Sequence, residues 1–257
     1  MSNDFIVGKS LGKKEQRQRE LLNVMKYQGR MSAKKIASIL GVSEMTVRRD
    51  LKQLEAQPNV DNGSGEHGEY NLLQAIELSN TQKDSIGRFA ASLIQPNDVI
   101  IIDTGSTTPC ILPYIQDNLN LTILCYNANI LMELRYRPGI QLLFCGGVYH
   151  QNTEMFESTE GINFINRTRA NKVFLSAAGV HDELGITCAN AYEVPMKHAV
   201  IASSSEKILV ADSSKFDQLR SSYFCELSDI DVIVTDLGLP VKWQEIIKQK
   251  KIALHMV

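Results

Sequence analysis

Two stretches of the sequence carry side chains whose types and spacing could do chemistry. The first is Met31-Ser-Ala-Lys-Lys-Ile-Ala-Ser-Ile-Leu-Gly-Val-Ser-Glu-Met-Thr-Val-Arg-Arg-Asp-Leu. Gly41 separates two segments of helical apolar spacing, and Ser43 is placed to cap the second. Val47 and Leu51 recur at i and i+4 and face inward. That leaves Ser43, Glu44, Thr46, Arg48 and Arg49 on or near the exposed N-terminal half of the second helix. Adjacent arginines there suit guanine edges in a major groove, while Lys34 and Lys35 on the first helix suit phosphate. A helix pair serving only as a core or dimer element has the same apolar spacing. The turn, the paired arginines and the local charge favour DNA over that plainer reading.

The second stretch is Asp103, Thr104, Gly105, Ser106, Thr107 and Thr108, directly behind the apolar run Val99–Ile102 and at the start of an expected helix. Hydroxyls and bare N–H groups at a helix N-terminus suit phosphate, although the same pattern also makes a well-capped turn. The loop is neither a Walker A motif nor a dinucleotide fingerprint, because it lacks their glycine and lysine spacing. Other expected strands end in comparable loops: Tyr126 and Asn127, Gly146 and Gly147, Ala177 to Gly179, and Asp212 to Lys215. If the strands are parallel, these loops converge on one rim, where open α/β sheets place their ligands. Glu193 and Lys197 stand i and i+4 on one expected helix, the spacing of a surface ion pair.

Those chemistries need two kinds of frame. Helical spacing runs over residues 13–28, then from Ser32 as an N-cap through Leu40, with Ile36, Ile39 and Leu40 inward, then over 44–56. Pro58 stops the third helix, and the polar, glycine-bearing stretch behind it reads as a linker or as a hairpin turned at Asn62-Gly63. A polar helix is expected over 80–94. Apolar runs at Val99–Ile102, Leu121–Cys125, Ile140–Phe144, 172–175, 208–210 and 232–234 read as buried strands. Helices are expected between them over 107–117, 129–136, 191–203 and 240–248. That alternation predicts an α/β domain with a parallel sheet covered on both faces. The expected organisation is a DNA-binding domain over 1–57, a wing or linker over 58–78 and a sensing domain over 79–257.

Charge follows the same division. The chain of 257 residues has a net charge of −2, but residues 1–57 carry 12 Lys/Arg against 6 Asp/Glu. The remainder carries 15 against 23, so a basic head precedes an acidic body. Screening over about 8 Å keeps the body from cancelling the head's attraction for phosphate. The five cysteines are scattered, odd in number and without a CxxC pair, so they read as small buried hydrophobes rather than metal or disulfide groups. Nothing in the sequence calls for a metal or a cofactor. No apolar run has the length of a membrane span and no secretory signal opens the chain, so the expected compartment is the cytoplasm.

The segment Gly41-Val-Ser-Glu-Met-Thr-Val-Arg-Arg-Asp-Leu resembles the signature of the DeoR family of bacterial regulators. The resemblance continues through residues 103–108, Cys145-Gly-Gly, Ser176-Ala-Ala-Gly-Val and Asp212-Ser-Ser-Lys-Phe, and so covers almost the whole chain. It implies a winged helix-turn-helix followed by a sensor similar in fold to ribose-5-phosphate isomerase. It further implies a repressor released from operator DNA by a sugar phosphate, with Glu193 and either Lys197 or Lys215 at the pocket. The polar stretch 58–69 departs from the family's apolar wing. Reading symmetric half-sites would require at least a dimer. Two other functions fit parts of the pattern: a sugar-phosphate isomerase carrying a DNA-binding head, and an interaction module whose basic head meets RNA or protein.

Overall fold

The computed structural model describes residues 33–47, 49, 71, 72, 75 and 80–257. The expected helix over 13–28, Arg48, Leu51 and the wing or linker at 58–69 lie outside the described residues. The chain forms two compact units, Met1–Gly68 and Glu69–Val257.

In the first unit, helix α1 (Ala33–Leu40) buries Ile36 and Ala37. It ends where Gly41 takes a φ of +64° and the Val42 N–H reaches back to the Ala37 carbonyl at 3.0 Å, a left-handed closure that favours glycine. Ser43 caps the next helix as expected: its Oγ accepts the Thr46 N–H at 3.1 Å. That helix opens at Glu44 and buries Val47. Ile39 corrects the expectation, since it is 45% exposed. Residues 36, 37 and 40 span about 100° of the helix, and residue 39 falls outside that arc.

The second unit is built on seven parallel strands: β1 (Val99–Ile102), β2 (Leu121–Cys125), β3 (Ile140–Phe144), β6 (Ala170–Leu175), β9 (Ser204–Val210), β11 (Val232–Thr235) and β12 (Ala253–Met256). Their order across the sheet is β12-β11-β9-β6-β1-β2-β3. Alternate residues serve opposite faces. Ile100 and Ile102 pack with Ile86, Ala90 and Ile94 around helix α2 (Asn80–Ser92), and with Ile130 and Leu134 of α3 (Ala128–Leu134). Ile101 faces the other way, into a core shared with Ile165 of α4 (Thr159–Arg167), Val200 of α5 (Val194–Ala202) and Trp243 of α6 (Val241–Gln249). Burial on both faces is why these strands read as continuous apolar runs.

Five short antiparallel strands complete the unit. β4 (Val148–His150) pairs with β5 (Met155–Glu157), while β7 (Gly179–His181), β8 (Gly185–Cys188) and β10 (Ser222–Cys225) form a three-stranded sheet. The expected helix over 107–117 is instead a 3-10 helix, Thr108–Tyr114, with Pro113 inside it. Proline removes an N–H donor and crowds the preceding turn, which explains the short, tight form. All five cysteines are buried and free.

Helix α2 lies against this 3-10 segment without a side chain between them at Gly87. A Cβ there would stand 2.3 Å from the Cys110 carbonyl oxygen. Gly87→Ala should therefore destabilise the chain by about 1–3 kcal/mol, the usual range for overpacking. Urea denaturation checks this, and an unchanged midpoint would mean that the two segments separate without cost.

Candidate functional site

The chain runs from β1 outward through β2 to β3, then returns to the other side of β1 with β6, β9, β11 and β12. The order reverses between β1 and β6, and such a switch point leaves a crevice at the carboxyl ends of the strands. Residues 103–108 follow β1 directly into that crevice, and Ser176 follows β6 on its other side. The two strand ends are tied together, with the Ser176 N–H donating to Asp103 Oδ2 at 3.0 Å.

Asp103 is the centre of this rim and is fully buried. Tyr126, just beyond β2, donates its hydroxyl to Asp103 Oδ1. Lys197, from α5, places Nζ 2.5 Å from Asp103 Oδ2 and 3.1 Å from the Ser176 carbonyl. The Phe224 ring lies 4.7 Å from the same ammonium, at cation–π range. Burial pushes the Tyr126 phenol well above its ordinary range, and the Asp103 carboxylate pushes the same way, so the phenol stays a donor. Burial acts against the Lys197 ammonium, but the Asp103 and Glu193 carboxylates outweigh it and hold its pKa above the usual lysine value.

Lys197 is therefore not half of a surface pair with Glu193. Its side chain is 1% exposed and its ion pair is with Asp103. Glu193 is buried too, but turns back to take the Asn190 N–H at 3.1 Å and the Asn190 side-chain amide at 2.8 Å. The sequence Asn190-Ala-Tyr-Glu193 is a capping box, a signal readable without the structure. Burial lifts the Glu193 carboxyl above its ordinary pKa, against the pull of Lys197 and Asn190.

The remaining loop residues are gathered to differing degrees. Thr108 Oγ1 donates to the Asp103 carbonyl at 2.8 Å, and Thr104 Oγ1 to the Thr153 carbonyl at 3.2 Å. Gly105 has a φ of +149°, and a Cβ there would stand 2.5 Å from the Ser176 side chain. Ser106 and Thr107 are buried in the same loop. A 3-10 helix of seven residues follows, so the α-helix N-terminus expected to favour phosphate is replaced by a shorter, tighter turn. The donors this loop offers are its N–H and hydroxyl groups.

Asn127 and Asp212 mark the flanks. Asn127 Oδ1 accepts the Tyr126 N–H at 3.3 Å, but its Nδ2 is buried without a hydrogen-bond partner. Asp212 Oδ1 accepts the Ser214 N–H at 3.1 Å, while its Oδ2 is likewise buried and unpartnered. Lys215 is half-buried in the same loop. Gly147 packs against the Glu157 carbonyl and Gly179 against the Gln218 carbonyl, so neither is joined to Asp103 by a direct bond. Gly146 gives its carbonyl to Ser158 Oγ at 2.7 Å.

Sequence reasoning passed over Ser176 as a site residue, and it passed over Lys83. The latter lies near the start of α2, is 2% exposed, and donates to the Ala75 carbonyl. Its position on the apolar stripe with Ile86, Gly87 and Ala90 was the available signal. Burial lowers its pKa to about 8, with the Asp212 carboxylate acting against that and the Lys215 ammonium adding to it.

On the first unit, Arg49, Ser43 and Met45 are exposed, and Glu44 and Thr46 are half-buried. Lys34 and Lys35 belong to α1. The DeoR-like helix-turn-helix domain matches residues 17–63, and the DeoR C terminal sensor domain matches residues 79–237. The chain belongs to the DeoR family. It is 32% identical to the deoxyribose operon repressor of Escherichia coli (strain K12) over 231 residues, 87% of this chain and 91% of that one. It is 26% identical to the HTH-type transcriptional regulator GolR of Listeria innocua over 250 residues, 90% of this chain and 98% of that one. Ribose 5-phosphate isomerase A from Methanocaldococcus jannaschii aligns with a TM-score of 0.40 at 15% identity, over 53% of this chain and 54% of that one, too remote to carry an argument. This member of the DeoR family is a DNA-binding transcriptional regulator, as its relatives are named, and not an isomerase with an added head. Among the described residues no helix is long and apolar enough to cross a membrane.

The depressed pKa of Lys83 has a signed consequence. A lysine whose pKa falls from 10.5 to about 8 on folding leaves the unfolded chain holding more protons between those values. Stability then rises with pH across that window. Lys83→Met removes the buried charge, so the difference in stability between this variant and the parent should be largest in the variant's favour below pH 8. It should shrink toward pH 10.5. Urea titrations of both chains at several pH values check this, and a pH-independent difference would contradict it.

Proposed function

We propose that this regulator represses a deoxyribose or deoxynucleoside catabolic operon and leaves its operator when a sugar phosphate such as deoxyribose 5-phosphate fills the switch-point rim. One observation carries the effector half. The rim holds buried polar atoms of both kinds without protein partners, a donor on Asn127 and an acceptor on Asp212. Unpaired buried groups are costly, and a ligand rich in hydroxyl and phosphate oxygens would satisfy both. Ser106 and Thr107 would supply donors to its phosphate, and Lys215 a cation, with Thr104, whose hydroxyl serves the Thr153 carbonyl, lining the loop. Asp103 and Lys197 would shape the rim rather than touch the ligand, since each already holds the other. The likeness to the deoxyribose operon repressor supports the choice of sugar.

The DNA half rests on Ser43, Glu44, Thr46, Arg48 and Arg49 entering a major groove, with Lys34 and Lys35 at phosphate. We assign residues 1–57 to DNA binding, 58–78 to a wing or linker, and 79–257 to sensing. The regulator would act in the cytoplasm as at least a dimer, because a two-fold operator requires two heads. Release follows from linkage: the effector weakens operator binding by the ratio of its affinities for the two arrangements.

Calorimetric titration with deoxyribose 5-phosphate, ribose 5-phosphate and free deoxyribose tests the effector, paired with gel-shift assays on operator DNA. Binding should need the phosphate and prefer the deoxy sugar. Lys215→Ala should keep operator affinity within about twofold and weaken effector response at least tenfold. Loss of operator binding in that variant would instead indicate a folding defect. Lys215 is the better test than Asp103, whose removal would strand the Lys197 ammonium.

Arg49→Ala addresses the other end of the molecule. If Arg49 reads a base, the change should cost about 1–3 kcal/mol at that site and relax preference there. An even loss across sequences, with a salt slope lower by about one, would place it on phosphate.

A further inference from the structure

The rim is joined to the stretch of chain that leads into it. Leu72 and Ala75 belong to the connector between the two matched domains, residues 64–78. Leu72 is fully buried, and its N–H donates to the Asn152 carbonyl at 2.7 Å. The Asn152 side chain accepts from the Tyr192 hydroxyl at 2.7 Å. The next residue, Thr153, offers its carbonyl to Thr104 of the candidate effector loop. Three residues past Leu72, the Ala75 carbonyl accepts from the Lys83 ammonium. These two attachments, at Leu72 and Ala75, begin on residues that border the rim.

Lys83 is placed to serve two partners. Helix α2 leads into β1 through a short turn, so its first turn sits at the carboxyl edge of the sheet with the other loops. Asp212 and Lys215 lie within electrostatic reach of its ammonium. The ammonium is bonded to a neutral carbonyl, and the Asp212 carboxylate offsets its burial only in part; the second cation adds repulsion that an incoming anion would relieve. An ammonium on a flexible four-carbon stem can also change acceptors with little strain.

We propose that Lys83 is shared between the Ala75 carbonyl and the anionic group of the effector, so that filling the rim frees the connector at Leu72 and Ala75. This rests on the reading of the rim as a sugar-phosphate site. Lys83 acts here as a positioning residue for the connector and as a ligand for the anion. The path to DNA then runs along the chain itself, from the rim to the segment that follows the helix-turn-helix.

Hydrogen–deuterium exchange of the connector in the full-length chain tests this, with calorimetry on the same samples and deoxyribose 5-phosphate and inorganic phosphate as probes. In the parent chain, saturating deoxyribose 5-phosphate should speed exchange at Leu72 and Ala75 at least tenfold. Lys83→Met should show the fast exchange without any probe and no further change with one. Lys83→Gln, which keeps a donor toward Ala75 but no charge, should exchange slowly and fail to respond. That variant decides the matter if the methionine chain folds poorly. Calorimetric binding with unchanged connector exchange would overturn the proposal, as would slow exchange in probe-free Lys83→Met. No binding of either probe would overturn the effector reading and the anion's share in Lys83. The probe-free comparison of parent and Lys83→Met would then judge the clamp by itself.

Discussion

The sensing unit depends on one buried ion pair, Asp103 with Lys197, set across the point where the strand order reverses. Removing either charge from water costs several kcal/mol, and attraction between the two offsets that only with good geometry and further hydrogen bonds. The surroundings provide them. Asp103 also receives the Tyr126 hydroxyl and the Ser176 N–H, and Lys197 also reaches the Ser176 carbonyl and the Phe224 ring. Those groups come from the ends of β1, β2 and β6, from α5 and from β10. A single pair thus fixes the relative placement of five elements where loops alone would otherwise meet.

Because Asp103 and Lys197 neutralise one another, the electrostatic character of the rim above them is set by other groups. Asp212 and Glu193 bring two carboxylates, and Lys83 and Lys215 bring two ammonium groups. Carboxylates and ammonium groups thus stand in equal number there, so a phosphorylated ligand would be favoured only where it meets Lys83 and Lys215 rather than Asp212 and Glu193. The sheet explains why these charges meet. Parallel strands place every loop that leaves a strand at the same edge, so residues far apart in sequence share one rim.

The parallel sheet was legible because its strands are buried on both faces. Val99–Ile102, Leu121–Cys125 and Ile140–Phe144 have the same bounds in the structure as in the apolar pattern. The antiparallel strands were not legible. Val148–His150 and Gly179–His181 have three residues each, and so short a run shows no period. β12 hid behind the mixed sequence Ala253-Leu-His-Met. Asp103 stood out as the residue after a strand, but its partner did not. Helical spacing pointed Lys197 at Glu193, whereas a 3-10 turn over Ala191–Glu193 takes that carboxylate back to Asn190. Long-range pairing of this kind is decided by which strand ends the topology brings together, and local spacing carries no record of it.

The same reasoning bears on why a lysine, and not a neutral side chain, occupies the base of the connector. A methionine at position 83 would fill the space without the desolvation penalty that now lowers the ammonium's pKa. Retaining a charge there lowers stability, so its value lies in what the charge can do when the surroundings change. An effector moves an equilibrium only by the difference in its affinity for two arrangements. A group bonded to the connector in one arrangement and to the ligand in the other supplies that difference directly. The exchange needs to be worth only about 1–3 kcal/mol, a range that gives a 5- to 150-fold change in affinity at the distant site. Trading an ammonium–carbonyl bond for an ammonium–phosphate bond, in which both partners are charged, falls within that range.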